Sequence, residues 1–174
     1  EPTRFFLLEP LADASPASSR SGTGPAIGIG PVEIPRYLDR PNIVTRGASN
    51  EVQVADFVLW AEPLVDGVPR ILAEDLSALL GTERVYGFPA KLPETLDFRV
   101  SVEVLRFDGT LGGEARFEAR WTVLDLRQGL HVAARRSSVK TRKVQGPDYG
   151  ALVTAMSGTL ADLGTEIGGL LRGL

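Results

Sequence analysis

The chain has 174 residues, a formal net charge of −3 and no cysteine. That length supplies a core large enough to need no covalent staple, and the missing thiols exclude disulfides, thiolate metal sites, iron–sulfur clusters and a cysteine nucleophile. The single histidine, His131, excludes a histidine-rich zinc site, the acidic balance argues against bulk attraction to nucleic acid, and no apolar run approaches the roughly 20 residues that span a bilayer.

The chain starts Glu1-Pro2-Thr3, without methionine, and is expected to be a processed product whose gene continues upstream. Arg4 to Leu8 reads as a strand ended by Pro10. Residues 12–25 are small, polar and rich in Gly and Pro, which predicts a flexible surface loop. Ala26 to Ile34 is extended, and Pro31, which has no N–H to give, predicts an edge strand or a break. Pro35 to Pro41 is turn-like, Ile43 to Arg46 a short strand, Gly47 to Asn50 a turn and Glu51 to Trp60 another strand.

Asp66-Gly67 predicts a turn, and Pro69 suits the first turn of a helix. Ile71, Leu72, Leu76, Leu79 and Leu80 then share one face, and Gly81 marks the stop. From Leu96 to Val104 even positions are apolar and odd ones polar, the pattern of a sheet with one wet face. The parity slips at Leu105 and Phe107, which predicts a bulge, and Asp108-Gly109 falls in a turn region. Glu114 to Val123 alternates as cleanly, Gln128-Gly129 turns the chain, and Leu130 to Val144 completes an antiparallel meander. Asp148 caps a last helix whose stripe runs Tyr149, Val153, Met156, Leu160, Leu163, Ile167, Leu170 and Leu174. Glycines inside that helix imply a closely packed neighbour or a frayed end. The expected fold is α+β: a mainly antiparallel sheet with a central helix and a long C-terminal amphipathic helix packed on it, one domain over residues 1–174.

The candidate chemistry is sparse. Gly22, Gly24, Gly28 and Gly30 lack the spacing and the following helix of a dinucleotide loop. A serine–histidine–aspartate triad has only His131 to use, with Ser137 or Ser138 and Asp125, and no nucleophile elbow accompanies it. Glu74-Asp75 reads as a solvated pair early in the first helix. Arg127 to Lys143 holds six basic residues and no acidic one, and Arg136, Lys140 and Arg142 share a strand face. That face is either simply solvated or a patch for an anionic partner such as lipid headgroups or an acidic protein surface. No cofactor or metal site is expected, and no enzyme.

The stretch Val32-Glu33-Ile34-Pro35-Arg36-Tyr37-Leu38-Asp39-Arg40-Pro41-Asn42-Ile43-Val44-Thr45-Arg46 resembles the signature of the ABC-type transport auxiliary lipoproteins, the PqiC (YmbA) family, with Asn42 where Gln is usual. Trp60-Ala61-Glu62-Pro63-Leu64 matches a second family motif, and Phe5-Phe6-Leu7-Leu8-Glu9-Pro10 resembles the family's opening, with Phe for Tyr. The resemblance implies a non-enzymatic lipoprotein on the periplasmic face of the bacterial outer membrane. Its lipid-bearing cysteine would lie just before Glu1. It implies partnership with an MCE-domain protein and ABC transporter components, docking to or capping a periplasmic lipid tunnel and supporting membrane integrity. A ring-like homo-oligomer would suit such a tunnel, with phospholipid a candidate ligand; a carrier holding lipid inside its own fold is the alternative. Pro35 and Pro41 would make the motif a rigid, extended protrusion. Tyr37 and Leu38 would be docking anchors or a cover for the core edge, Arg40 and Arg46 would pair locally or meet the partner, and Trp60 belongs to the core.

Overall fold

The structure, a computed structural model, describes residues 1–11, 19–88 and 92–174. The first half of the expected 12–25 loop, residues 12–18, therefore lies outside the described residues. In chain order the elements are β1 (Arg4–Phe6), β2 (Ile27–Glu33), a 3-10 turn (Arg36–Leu38), β3 (Asn42–Arg46), β4 (Val52–Trp60), α1 (Leu64–Leu80), β5 (Val85–Gly87), β6 (Phe98–Gly109), β7 (Glu114–Asp125), β8 (His131–Lys143) and α2 (Tyr149–Arg172).

The strands form two sheets, one ordered β5-β2-β6-β7-β8 and one ordered β1-β4-β3. The β6-β7-β8 meander is antiparallel throughout, as its alternation predicts. The sheets as wholes are mixed, because β2 runs parallel to both β5 and β6, and β1 runs parallel to β4. Both helices lie on the same face of the larger sheet: α1 packs on β2, β5 and α2, while α2 packs on β6, β7 and β8. The space between is filled by Trp121, Phe107, Phe117, Leu152, Met156 and Leu160, all fully buried. Phe107 and Phe117 meet edge to face at 4.8 Å.

The local signals account for most of this. In β6 the residues Phe98, Val100, Val102 and Val104 point into the core, and the register with β7 shifts between Val104 and Arg106, which returns Phe107 to the inner face. α1 ends on Gly81 in a left-handed conformation (φ 67°), and the Asp148 carboxylate accepts the Ala151 N–H at the start of α2. Gly164 and Gly168 of α2 face α1: a methyl group at Gly164 would sit 3.5 Å from Asp75 Cβ and Leu72 Cδ1. Close packing is what these two glycines serve; on the other face Gly158 lies against the Arg142 side chain, and a methyl group at Gly169 would meet nothing within 4 Å.

Three expectations need correction. β2 is not an edge strand from Ile27 to Ile29, where β5 flanks it; of the two expectations for Pro31 the break is the one that stands, since β5 stops opposite Ile29 and the β2–β6 register shifts between Ile29 and Val32. α1 begins at Leu64, so Asp66-Gly67 belongs to its first turn and Pro69 is its sixth residue. Leu64 and Val68 extend the buried stripe backwards, and that burial outweighs the backbone hydrogen bond Pro69 forgoes. Asp108-Gly109 is strand, and the turn is Thr110 to Gly113.

Candidate docking site

The signature segment is not an extended protrusion. Pro35 is extended (φ −63°, ψ 150°), but Arg36 to Leu38 wind into the 3-10 turn and bring Tyr37 back over β6. There the Tyr37 hydroxyl donates to Asp108 Oδ2 at 3.0 Å. Arg46 Nε, from the end of β3, donates to the same oxygen at 3.0 Å, and Arg106 Nε donates to Oδ1 at 2.9 Å. The Arg46 guanidinium also lies 5.5 Å over the Tyr37 ring and donates to its hydroxyl at 3.3 Å. Asp108 is 0% exposed, so its charge is desolvated and answered by two guanidiniums and a phenol. Burial and the facing Asp108 carboxylate push the Tyr37 hydroxyl above its ordinary pKa, so it remains a donor at neutral pH.

The remaining signature residues divide. Leu38 is only 3% exposed and covers the core edge, so of its two readings the structure takes the structural one. Arg40 is exposed, with its Nε donating to the Tyr37 carbonyl at 3.2 Å. Behind them Trp60 is buried, as its core assignment requires. The second motif comes directly alongside the first: the Trp60 N–H donates to the Pro41 carbonyl at 2.7 Å. The two motifs together line one open groove of about 220 Å³, with Leu38, Asp39, Arg40 and Pro41 on one side and Trp60 through Val65 on the other. Glu62 at its rim pairs with Arg70 of α1. A groove with an apolar floor (Leu38, Trp60, Leu64), a rim of both charges and a rigid ion cluster behind it is suited to holding a protein segment.

The basic strand face is partly engaged within the fold. Arg136, Lys140 and Arg142 do share a face of β8, but it is the face toward α2. Arg142 makes a two-pronged pair with Asp162, both contacts 2.7 Å, and Lys140 Nζ lies 3.1 Å from Glu166. Burial pushes the Glu166 carboxyl up, yet the Ser138 hydroxyl and Lys140 outweigh it and hold it below its ordinary value. Two of the three cations are thus occupied within the fold.

The triad is not assembled. His131 and Asp125 are register partners, but Ser138 lies seven residues along the same strand from His131, about 23 Å at strand rise. Ser138 is instead a structural link: it accepts from Trp121 Nε1 at 2.9 Å and donates to Glu166 at 2.6 Å. Among the described residues no cluster of His, Asp and Glu could hold a metal ion.

Two residues escaped the pattern of the sequence. Asp108 carries a turn signal, yet the bulge before it puts Arg106 and Asp108 on the same strand face, opposite Glu118 and Arg116 in register. Asp75 carries the signal of a solvated carboxylate, but it is fully buried against α2, because its spacing of four from both Ile71 and Leu79 puts it on the packed face of α1, opposite Gly164.

The fold is an α+β scaffold that carries one open groove built from two segments separate in sequence. The family model for the ABC-type transport auxiliary lipoprotein component matches residues 6–168, and the chain belongs to that family. Among solved structures it is similar to an uncharacterized protein (TM-score 0.78, 22% identity, covering 98% of this chain and 99% of that one). It is also similar to protein XCC0632 of Xanthomonas campestris, of family DUF330 (TM-score 0.73, 20% identity, covering 98% and 97%). These likenesses establish the fold. None of the curated proteins matches the chain.

Proposed function

We propose that this protein is a non-enzymatic, lipid-anchored subunit at the periplasmic face of the outer membrane, which docks to the MCE-domain protein of an ABC-type lipid transport system. One observation carries the reading: the two segments that resemble the family's signatures, separate in sequence, converge on one groove. The ion cluster on Asp108 fixes one wall of that groove, and the first turn of α1 forms the other. Large buried side chains such as Trp121, Phe107 and Phe117 occupy the core between sheet and helices, which favours docking over the carrier alternative, and among the described residues no helix is long and apolar enough to cross a membrane.

The test is co-purification of the lipidated, full-length protein with the MCE-domain protein of the same cell, using a variant with Arg40→Glu and Val65→Asp. Both side chains are exposed at the groove. Loss of the MCE-domain protein from the purified complex, with thermal stability unchanged, is the expected result. Retention at wild-type yield by the double variant would refute docking through this groove. Residence of the lipidated protein in the inner-membrane fraction would refute the outer-membrane assignment.

A further inference from the structure

β8 is the outermost strand of the five-stranded sheet and, at 13 residues, its longest. Its inner edge is paired with β7 from His131↔Asp125 to Lys143↔Glu114. Among the described residues no strand pairs with its outer edge, and the Arg136 guanidinium donates to the Arg135 carbonyl at 3.1 Å. The other sheet ends are short: three residues in β1 and β5 and five in β3. A long open edge presents a row of unpaired N–H and C=O groups, and proteins usually blunt it with proline, bulges or cover. β8 contains no proline or glycine, and its register shift against β7 falls beside its first residues, between Val123 and Leu124. Val132 and Val139 stand 50% and 52% exposed along it, and Leu130 just before it is 68% exposed.

The charge along this edge has one sign. His131–Lys143 carries Arg135, Arg136, Lys140, Arg142 and Lys143 and no acidic residue. Lys140 and Arg142 are engaged by Glu166 and Asp162 on the helix side. Arg135, Arg136 and Lys143 have no ion pair among the described residues, although Glu166 lies within electrostatic reach of Arg136. Arg135 and Ser137 also wall the outer end of an open groove of about 500 Å³ across the other sheet face.

We infer that β8 is a strand-addition site for an extended, acidic segment of a partner protein. Main-chain hydrogen bonds along the open edge supply the affinity, and the unpaired Arg135, Arg136 and Lys143 select acidic side chains. A second copy of β8 is the wrong occupant, since an antiparallel β8–β8 pair sets cation against cation. An anionic lipid surface would satisfy the charges but leave the backbone edge without partners. The inference does not depend on the transport reading: it concerns a different strand, and its test uses no transport component.

The experiment titrates into the protein a fluorescent peptide in which pairs of glutamates alternate with pairs of valines, so that both faces of an added strand carry carboxylates. A companion peptide carries lysine in place of glutamate, and anionic phosphatidylglycerol vesicles serve as a third probe. Binding of the acidic peptide alone, with slowed amide exchange confined to residues 131–143, is the expected result. A variant with Arg135→Glu and Arg136→Glu is expected to bind about tenfold more weakly, on the order of what two exposed ion pairs supply. Both side chains are exposed, and circular dichroism should show the variant folded as the wild type is. Equal binding of the two peptides, no binding of either, protection located on another strand, vesicle binding without peptide binding, or self-association that protects β8 in the absence of peptide would each overturn it.

Discussion

Asp108 holds together more of the candidate site than any residue in the signature itself. It is a fully buried carboxylate whose partners come from three places: the 3-10 turn, β3 and its own strand. Removing it strands Arg46 and Arg106, whose side chains are about a quarter exposed (24% and 28%) and so partly recover hydration. Asp108→Ala is therefore expected to cost about 3 kcal/mol in urea unfolding, the lower end for breaking a buried pair. Tyr37→Phe loses one hydrogen bond and keeps the ring under Arg46, for a cost of about 1 kcal/mol. Equal losses in the two variants would show that the tyrosine, not the carboxylate, organises the cluster.

Asp75 is the second residue with consequences. One carboxylate oxygen accepts the Leu11 N–H at 2.7 Å, while the other is buried without a partner. Burial, with the neighbouring Glu74 charge in support and the Leu11 N–H opposing, pushes its pKa from 3.8 up to about 6. The folded protein thus binds this proton more tightly than the unfolded chain does. Between about pH 4 and pH 6 the native state holds more protons, so stability falls as pH rises through that window and levels off above it. The span corresponds to about 2–3 kcal/mol. Unfolding free energies at pH 4, 5, 6 and 7 check it: the decline should be present in the wild type and flattened in Asp75→Asn, which keeps an oxygen for the Leu11 N–H. Parallel curves for the two proteins would assign the carboxyl a normal pKa.

At the scale of elements, period and punctuation were legible and context was not. The alternation of β6 and β7, the bulge after Val104, the Gly81 stop and the Asp148 cap are written in neighbouring residues, and all four stand in the structure. The true start of α1 was hidden because the Asp66-Gly67 dipeptide carries a strong turn signal that the burial of Leu64 and Val68 overrides. The role of Arg136, Lys140 and Arg142 was hidden for a related reason: strand parity identifies a shared face but not what covers it. Asp162 and Glu166, twenty or more residues later, decide that. The groove was legible in part, since both motifs stand out in the sequence, but their meeting is a tertiary fact. The α1–α2 contact offers a check at this scale. Gly164→Ala puts a methyl group at ordinary contact distance and removes a helix-interior glycine, so it should be neutral or stabilising by up to about 1 kcal/mol. Gly164→Leu must push Leu72 and Asp75 aside and should lower stability by about 1–3 kcal/mol in the same urea assay.

At the scale of the molecule the helices cover one face of the larger sheet, and the two docking surfaces proposed above lie at different places around it. One is the motif groove, at the point where β2 leads into the 3-10 turn and β4 into α1; the other is the open edge of β8. β2 and β8 are separated by two intervening strands, three strand spacings or about 14 Å, beyond the range at which exposed substitutions normally couple. The two surfaces should therefore fail independently. The Arg40→Glu, Val65→Asp variant loses the MCE-domain protein yet binds the acidic peptide as the wild type does, whereas the Arg135→Glu, Arg136→Glu variant does the reverse. All four positions are exposed, and an aspartate at position 65 lies in the first turn of α1, where the helix dipole favours it. Each variant should consequently unfold within about 0.5 kcal/mol of the wild type. If either pair abolished both interactions while stability held, groove and edge would form one continuous interface, and a single partner would span the sheet from β2 to β8.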